Sequence, residues 1–155
     1  MTETESAAIS RMRCREIMTK NVRVVSPANN IREAALIMRE ADVGAVPVVE
    51  DGKLVGIVTD RDIVIRSVAN GNDSTSLVSG AMTTEIFSVK PGDFAFEAIR
   101  LMGDKQVRRV PVVNEDGSLA GIIAIADIAL EMEDEREIAE TLEEISSGAS
   151  FWKKN

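Results

Sequence analysis

Residues 43–63, VGAVPVVEDGKLVGIVTDRDI, return at 107–128 as VRRVPVVNEDGSLAGIIAIADI. Val43, Val46, Pro47, Val48 and Val49 recur 64 positions later as Val107, Val110, Pro111, Val112 and Val113. The second copy carries one extra residue in its turn. Beyond it Gly52, Leu54, Gly56, Ile57, Asp62 and Ile63 recur 65 positions later as Gly117, Leu119, Gly121, Ile122, Asp127 and Ile128. The likeness extends upstream through Met18-Thr19/Met82-Thr83, Val25/Val89, Pro27/Pro91, Glu33-Ala34/Glu97-Ala98 and Met38/Met102. These pairs make 18 identities over about 46 aligned positions, far above chance. An internal duplication of this length demands a fold built from two copies of one unit.

Each copy mixes strand and helix signals. Val22 to Val25 reads as a strand, closed by Ser26-Pro27. Asn29 or Asn30 can cap a helix over about Ile31 to Ala41, with Ile31, Ala34, Ala35 and Met38 on one face. Val46–Val49 and Leu54–Val58 are short β-rich runs around Asp51-Gly52, a dipeptide suited to the positive φ of a hairpin turn. A helix follows over about Arg61 to Ala69 and stops at Asn70-Gly71. The second copy predicts a helical turn at 79–83, a strand over Ile86–Val89 and a helix over Asp93–Lys105, with Ala95, Ala98, Ile99 and Met102 inward. Strands at Arg109–Val113 and Leu119–Ile123 follow, then a helix from about Ala126 to Ile145. The expected division is a polar, disordered tail at 1–10, repeat one at 11–69, a linker at 70–76, repeat two at 77–130 and an acidic helix with a flexible tail at 131–155.

Composition narrows the function classes. The chain has 155 residues, 45% of them apolar, but only 3% aromatic and no tyrosine, so its core is aliphatic. A net charge of −8 argues against nucleic acid as a partner. The lone Cys14 excludes an intramolecular disulfide, and with no histidine in the chain it has no base to make it a nucleophile. No run of 18 apolar residues occurs, and the MTETESAAIS start is acidic, so neither a membrane span nor a signal peptide is expected, and a cytoplasmic location is. Residues 131–144 hold eight acids against Arg136, with Ile138, Leu142 and Ile145 as a thin apolar stripe. That segment reads as a solvated face or as a partner contact, and Phe151-Trp152 as a loose end or a docking pair.

Chemistry concentrates at Thr59-Asp60-Arg61-Asp62, where a strand turns into a helix. Unpaired N–H groups at a helix start suit a phosphate or a sugar. A catalytic reading finds no histidine, no paired catalytic carboxylates, no metal-ligand cluster and no glycine-rich phosphate loop, so no enzyme is expected.

The paired VPVV strands, the Gly56–Asp62 stretch with its partner Gly121–Asp127, and the two Met-Thr openings resemble a tandem pair of CBS domains, also called a Bateman module. The resemblance covers about residues 11–130 and implies an α+β fold. Two β-α-β-β-α repeats would pack through their sheets about a pseudo-two-fold axis, leaving two clefts. It further implies homodimers, and a sensor that binds AMP, ADP or ATP in those clefts. S-adenosylmethionine and a dinucleotide such as NAD(H) are the alternative ligands. No cofactor is required. With no output domain attached, such a stand-alone sensor acts on a separate protein effector or buffers its ligand.

Carried onto this sequence, the resemblance implies that Val43, Gly44 and Ala45 converge with Arg108, Arg109 and Asp127 on one cleft. Thr59, Asp62 and Arg61, with backbone from Val107 to Arg109, serve the other. Asp62 can accept hydrogen bonds from ribose hydroxyls, and the arginine pair can fork onto phosphate. The residues also allow plainer readings. Thr59 and Asp62 have the spacing of a helix N-cap with an acid in its first turn. Arg108 and Arg109 can be solvated surface charges. Ala124 stands where Thr59 stands in repeat one, yet Asp127 persists, which fits ribose contact better than capping and predicts weaker ribose contacts at that cleft. A ligand-free interaction module remains the competing function.

Overall fold

The computed structural model describes residues 11–131; the expected N-terminal tail, the acidic segment beyond Glu131 and the Phe151-Trp152 pair lie outside them. The chain forms two compact units. Of the described residues, the first comprises 22–86 with 116–119; the second comprises 11–21, 87–115 and 120–131. These bounds differ from those of the sequence repeats, because each Met-Thr opening belongs to the unit built on the other repeat.

In the first unit, helix α2 (Ile31–Ala41) starts where Asn30 accepts the Glu33 N–H at 3.0 Å and ends at Asp42 in the left-handed region. Its Ile31 and Arg32 N–H groups donate to Ser76 and Ser74, so the 70–76 linker is tied to the helix start. Ala34 lies at the centre of its buried face, which draws in Ile37 and leaves Ala35 exposed, contrary to the sequence expectation. Strands β1 (Ala45–Glu50) and β2 (Lys53–Thr59) pair antiparallel, joined by Asp51 and Gly52 with φ of 52° and 76°. Two consecutive positive φ values give the twist that matches paired strands.

The predicted strand over Val22–Val25 contracts to one parallel bridge, Val25 to Val48. Val25 N–H donates to Pro47 O and its carbonyl accepts from Val49 N–H. The next donor would be residue 27, a proline with no N–H, so the ladder ends there. The same holds for Val89, bridged to Val112 and followed by Pro91. Pro47 is tolerated mid-strand because its nitrogen faces the Val25 side, where β2 asks nothing of it.

β2 leads into a helix that opens at Asp60–Asp62 (α3) and continues as a π-helical run, Ile63–Val68, in place of the regular α-helix expected to Ala69. Gly71, at φ 79°, ends it. A 3₁₀ turn, Val78–Gly80, precedes Met82-Thr83, which adds a bridge to the far edge of β2: Ile57 and Thr83 exchange backbone bonds of 2.9 and 2.8 Å.

The second unit repeats this plan. α1 (Cys14–Ile17) leads to Thr19, which exchanges backbone bonds of 2.8 and 3.1 Å with Ile122. α4 (Ala95–Lys105) packs on β3 (Arg109–Val113) and β4 (Leu119–Ala124), and α5 (Ile125–Glu131) follows directly. Aliphatic side chains fill both cores, around Val46, Val48 and Val58 in the first unit and Met102, Val110 and Ile123 in the second. Among the described residues no helix is long and apolar enough to cross a membrane.

The Met-Thr bridges explain two repeated glycines. A Cβ on Gly56 would meet Met82 Sδ and Thr83 O at 3.0 Å each. A Cβ on Gly121 would meet Thr19 O at 2.6 Å and Met18 Sδ at 2.9 Å. Both positions need hydrogen for side chains because another strand lies against them.

Candidate ligand-binding turns

Each unit presents one strand-to-helix turn with the candidate residues around it. In the first unit Val43 and Gly44 precede β1, and Ala45 is buried and paired with Thr59. Gly44 O accepts the Asp60 N–H at 3.0 Å, so the β1 entry and the helix start touch. Thr59 and Asp62 form a reciprocal capping box: Thr59 Oγ1 accepts Asp62 N–H and Asp62 Oδ2 accepts Thr59 N–H, each at 3.0 Å. Asp62 is 14% exposed in its side chain. Its Oδ1 lies 3.9 Å from Arg66 Nε and 3.4 Å from Thr83 Oγ1. Arg66 is held elsewhere too, donating to Met82 O at 3.0 Å. Arg61 is exposed at the same turn.

In the second unit Arg108 O accepts the Ile125 N–H at 2.8 Å, the counterpart of the Gly44–Asp60 bond. Val107 is half-buried and Arg109 opens β3, half-buried; Arg108 is exposed. The guanidinium groups of Arg108 and Arg109 make no hydrogen bond or ion pair among the described residues. Asp127 Oδ2 accepts the Ala124 N–H at 3.2 Å.

That last bond revises an inference from sequence. The persistence of Asp127 opposite Ala124 does not by itself favour ribose contact, because the carboxylate keeps its half of the capping box. Capping needs the side chain at the third helical position and a backbone N–H, and Ala124 supplies the N–H as well as threonine does.

Within the first unit the fold brings together Val43, Gly44, Ala45, Thr59, Arg61 and Asp62. Within the second it brings together Val107, Arg108, Arg109 and Asp127. Sequence reasoning named Asp60 only as part of the Thr59–Asp62 cluster, without a role of its own, and missed Arg66. Asp60 accepts Arg61 N–H at 2.8 Å and sits over Gly44. Its signal was the mismatch of the repeats there, Gly44 and Asp60 against Arg108 and Ile125. Among the described residues no group of three or more acidic or cysteine side chains is placed to hold a metal ion.

The family model described as CBS domain matches residues 14–68 and 78–134. The CBS domain-containing protein YhcV of Bacillus subtilis is 44% identical over 116 residues, 75% of this chain and 82% of that protein. The crystal structure of Hypoxic Response Protein I with two coordinated zinc ions superposes with a TM-score of 0.72 at 38% identity, covering 78% of this chain and 99% of that one. The crystal structure of CBSX2 in complex with AMP superposes at 0.67 and 28% identity, covering 76% and 93%. Two matched copies, in the order and at the positions of the internal repeat, mean that this chain belongs to the CBS-domain family and carries the module in tandem.

Proposed function

We propose that this CBS pair is a regulatory module, without chemistry of its own, that binds an adenosine nucleotide such as AMP, ADP or ATP. The observation that carries the reading is the pair of guanidinium groups, Arg108 and Arg109, that have no partner among the described residues, in the unit that holds Asp127. Guanidinium forks suit phosphate oxygens, and a carboxylate suits ribose hydroxyls. Asp127 uses one oxygen on a single N–H, which leaves capacity for a sugar. The AMP complex of CBSX2, a relative in fold, supports the same ligand class. Val43, Gly44, Ala45 and Val107 offer apolar or backbone surface, and Thr59, Arg61 and Asp62 form the corresponding turn of the first unit.

Calorimetric titration tests this. The parent chain is expected to prefer AMP to adenosine, and the Arg108→Ala, Arg109→Ala double variant to bind both about equally, with about 1–3 kcal/mol of AMP affinity lost. No preference in the parent would make these arginines ordinary surface charges and turn attention to S-adenosylmethionine or NAD(H).

A second reading, an interaction module, is favoured by a specific surface. Val64, Ile65 and Val68 are each more than half exposed on the π-helical run. A second copy of this chain is the partner we propose for that face, in keeping with the closed two-fold symmetry of most oligomers; a monomer mass by light scattering across the micromolar range would reject it. In the nucleotide reading, a separate protein effector would read the ligand state.

A further inference from the structure

The two turns share one backbone frame and differ in the side chains it carries. The bond from Asp60 N–H to Gly44 O matches the bond from Ile125 N–H to Arg108 O, so residues 44 and 60 are neighbours in one unit as residues 108 and 125 are in the other. A Cβ on Gly44 would lie 3.2 Å from Asp60 Oδ2 and 3.6 Å from Oδ1. The Asp60 carboxylate therefore rests over residue 44, at the position where repeat two places the stem of an arginine. The first three helical N–H groups of this unit already have acceptors: Asp60 donates to Gly44 O, Arg61 to Asp60 Oδ1 and Asp62 to Thr59 Oγ1. Arg66 is turned toward Met82 O and Asp62. An anion approaching this turn meets the Asp60 and Asp62 carboxylates as well as the exposed Arg61 between them in sequence, and backbone donors already in use.

We propose that Asp60 is a specificity determinant: its carboxylate bars phosphate from the turn of the first unit, so that this turn selects against the phosphorylated form of an adenosine ligand that the second unit accepts. The inference rests on the nucleotide reading above. Asp60 is exposed, so the repulsion is a contact effect: like charges a few ångströms apart still repel, and bulk salt screens them little at that distance. The two repeats thus differ in ligand chemistry while sharing their backbone.

Asp60→Asn in the full chain is the test, because an amide oxygen can still accept the Arg61 N–H while the charge is gone. Titrations use AMP and adenosine. The parent is expected to bind one AMP per chain. The variant should gain a second AMP site, or strengthen a weak one about tenfold or more, with adenosine affinity unchanged. Asp60→Glu, which keeps the charge, should behave as the parent. Should Asp60→Asn fold poorly, Asp60→Ile, which carries the residue of the second repeat, serves as the neutral variant. Two equal AMP sites in the parent would overturn the exclusion, as would AMP binding that is identical in parent and neutral variant. Failure of parent and variant alike to bind AMP or adenosine would remove the nucleotide reading and this inference with it.

Discussion

The strand-to-helix turns of the two units have the same origin in sequence and different states of completion. In the first, Thr59 and Asp62 satisfy each other's backbone, Asp60 covers Gly44, and Arg66 is drawn to Asp62 and to the Met82 carbonyl. In the second, Ala124 removes one half of the box, and among the described residues Asp127 keeps a single bond and two arginines have no partner. A turn whose polar groups already satisfy one another must exchange those bonds for any ligand contact. A turn with spare capacity need not. The sequence expectation that Ala124 marks the weaker site therefore has a physical counter-argument, since the loss that loosens the cap also leaves groups available.

The largest difference to test lies beneath the turns. Gly121→Ala would drive a methyl group to within 2.6 Å of the Thr19 carbonyl, a backbone atom that cannot swing away. Gly56→Ala meets its neighbours at 3.0 Å, one of them the flexible Met82 sulfur. We expect Gly121→Ala to cost about 3 kcal/mol and Gly56→Ala about 1–2 kcal/mol, the scale of overpacking. Urea unfolding measures both. A Gly56→Ala loss equal to or greater than that of Gly121→Ala would mean that close approach is not what sets the cost.

Next in size is a pH effect confined to one unit. Cys14 in the second unit occupies the place of Val78 in the first, and both are fully buried. Burial, helped by the negative charges of Asp93 and Glu97, pushes the Cys14 thiol up to about 11 from 9.0. The folded state thus holds its proton where the unfolded chain releases it. The stabilisation from this group is complete below about pH 9 and is lost as pH rises through about 11, up to about 2–3 kcal/mol in all. Unfolding free energies of parent and Cys14→Val, measured at about pH 8 and about pH 10.5, should diverge only at the higher pH. Parallel pH dependence would show the thiol to be uninvolved.

The smallest effect concerns the caps themselves. Thr59→Ala should destabilise by about 1 kcal/mol, and Ala124→Thr should stabilise by somewhat less. If Ala124→Thr also weakens AMP binding, completing the cap and holding ligand compete for the same groups. Unchanged AMP affinity would separate the two roles.

Much of this molecule is legible residue by residue. Asp51-Gly52 specifies its turn because few dipeptides accept two positive φ values, and Asn30 specifies the start of α2 because its side chain reaches the Glu33 N–H. Ile37 was harder to place, since the inward face of a short helix depends on what it packs against. Pro27 and Pro91 could have told that the strands before them end after one bridge, had the partner strands been known. At the turn, Thr59 and Asp62 carried two meanings at once, because the spacing that caps a helix also presents a hydroxyl and a carboxylate to a ligand.

By itself the sequence determined that the fold is a duplication, where each hairpin turns, and which apolar runs supply most of the two cores. These follow from repeated letters, from φ preferences and from alternation, all of which act over a few residues. Only the tertiary structure decided that Met18-Thr19 lies against Gly121 and Met82-Thr83 against Gly56, so that each opening completes the unit of the other repeat. It alone set the Asp60 carboxylate over Gly44 and turned Arg66 toward Met82. Those contacts join segments far apart in the chain or fix the direction of a long side chain. No local preference encodes them, because their free energy exists only once the strands have met.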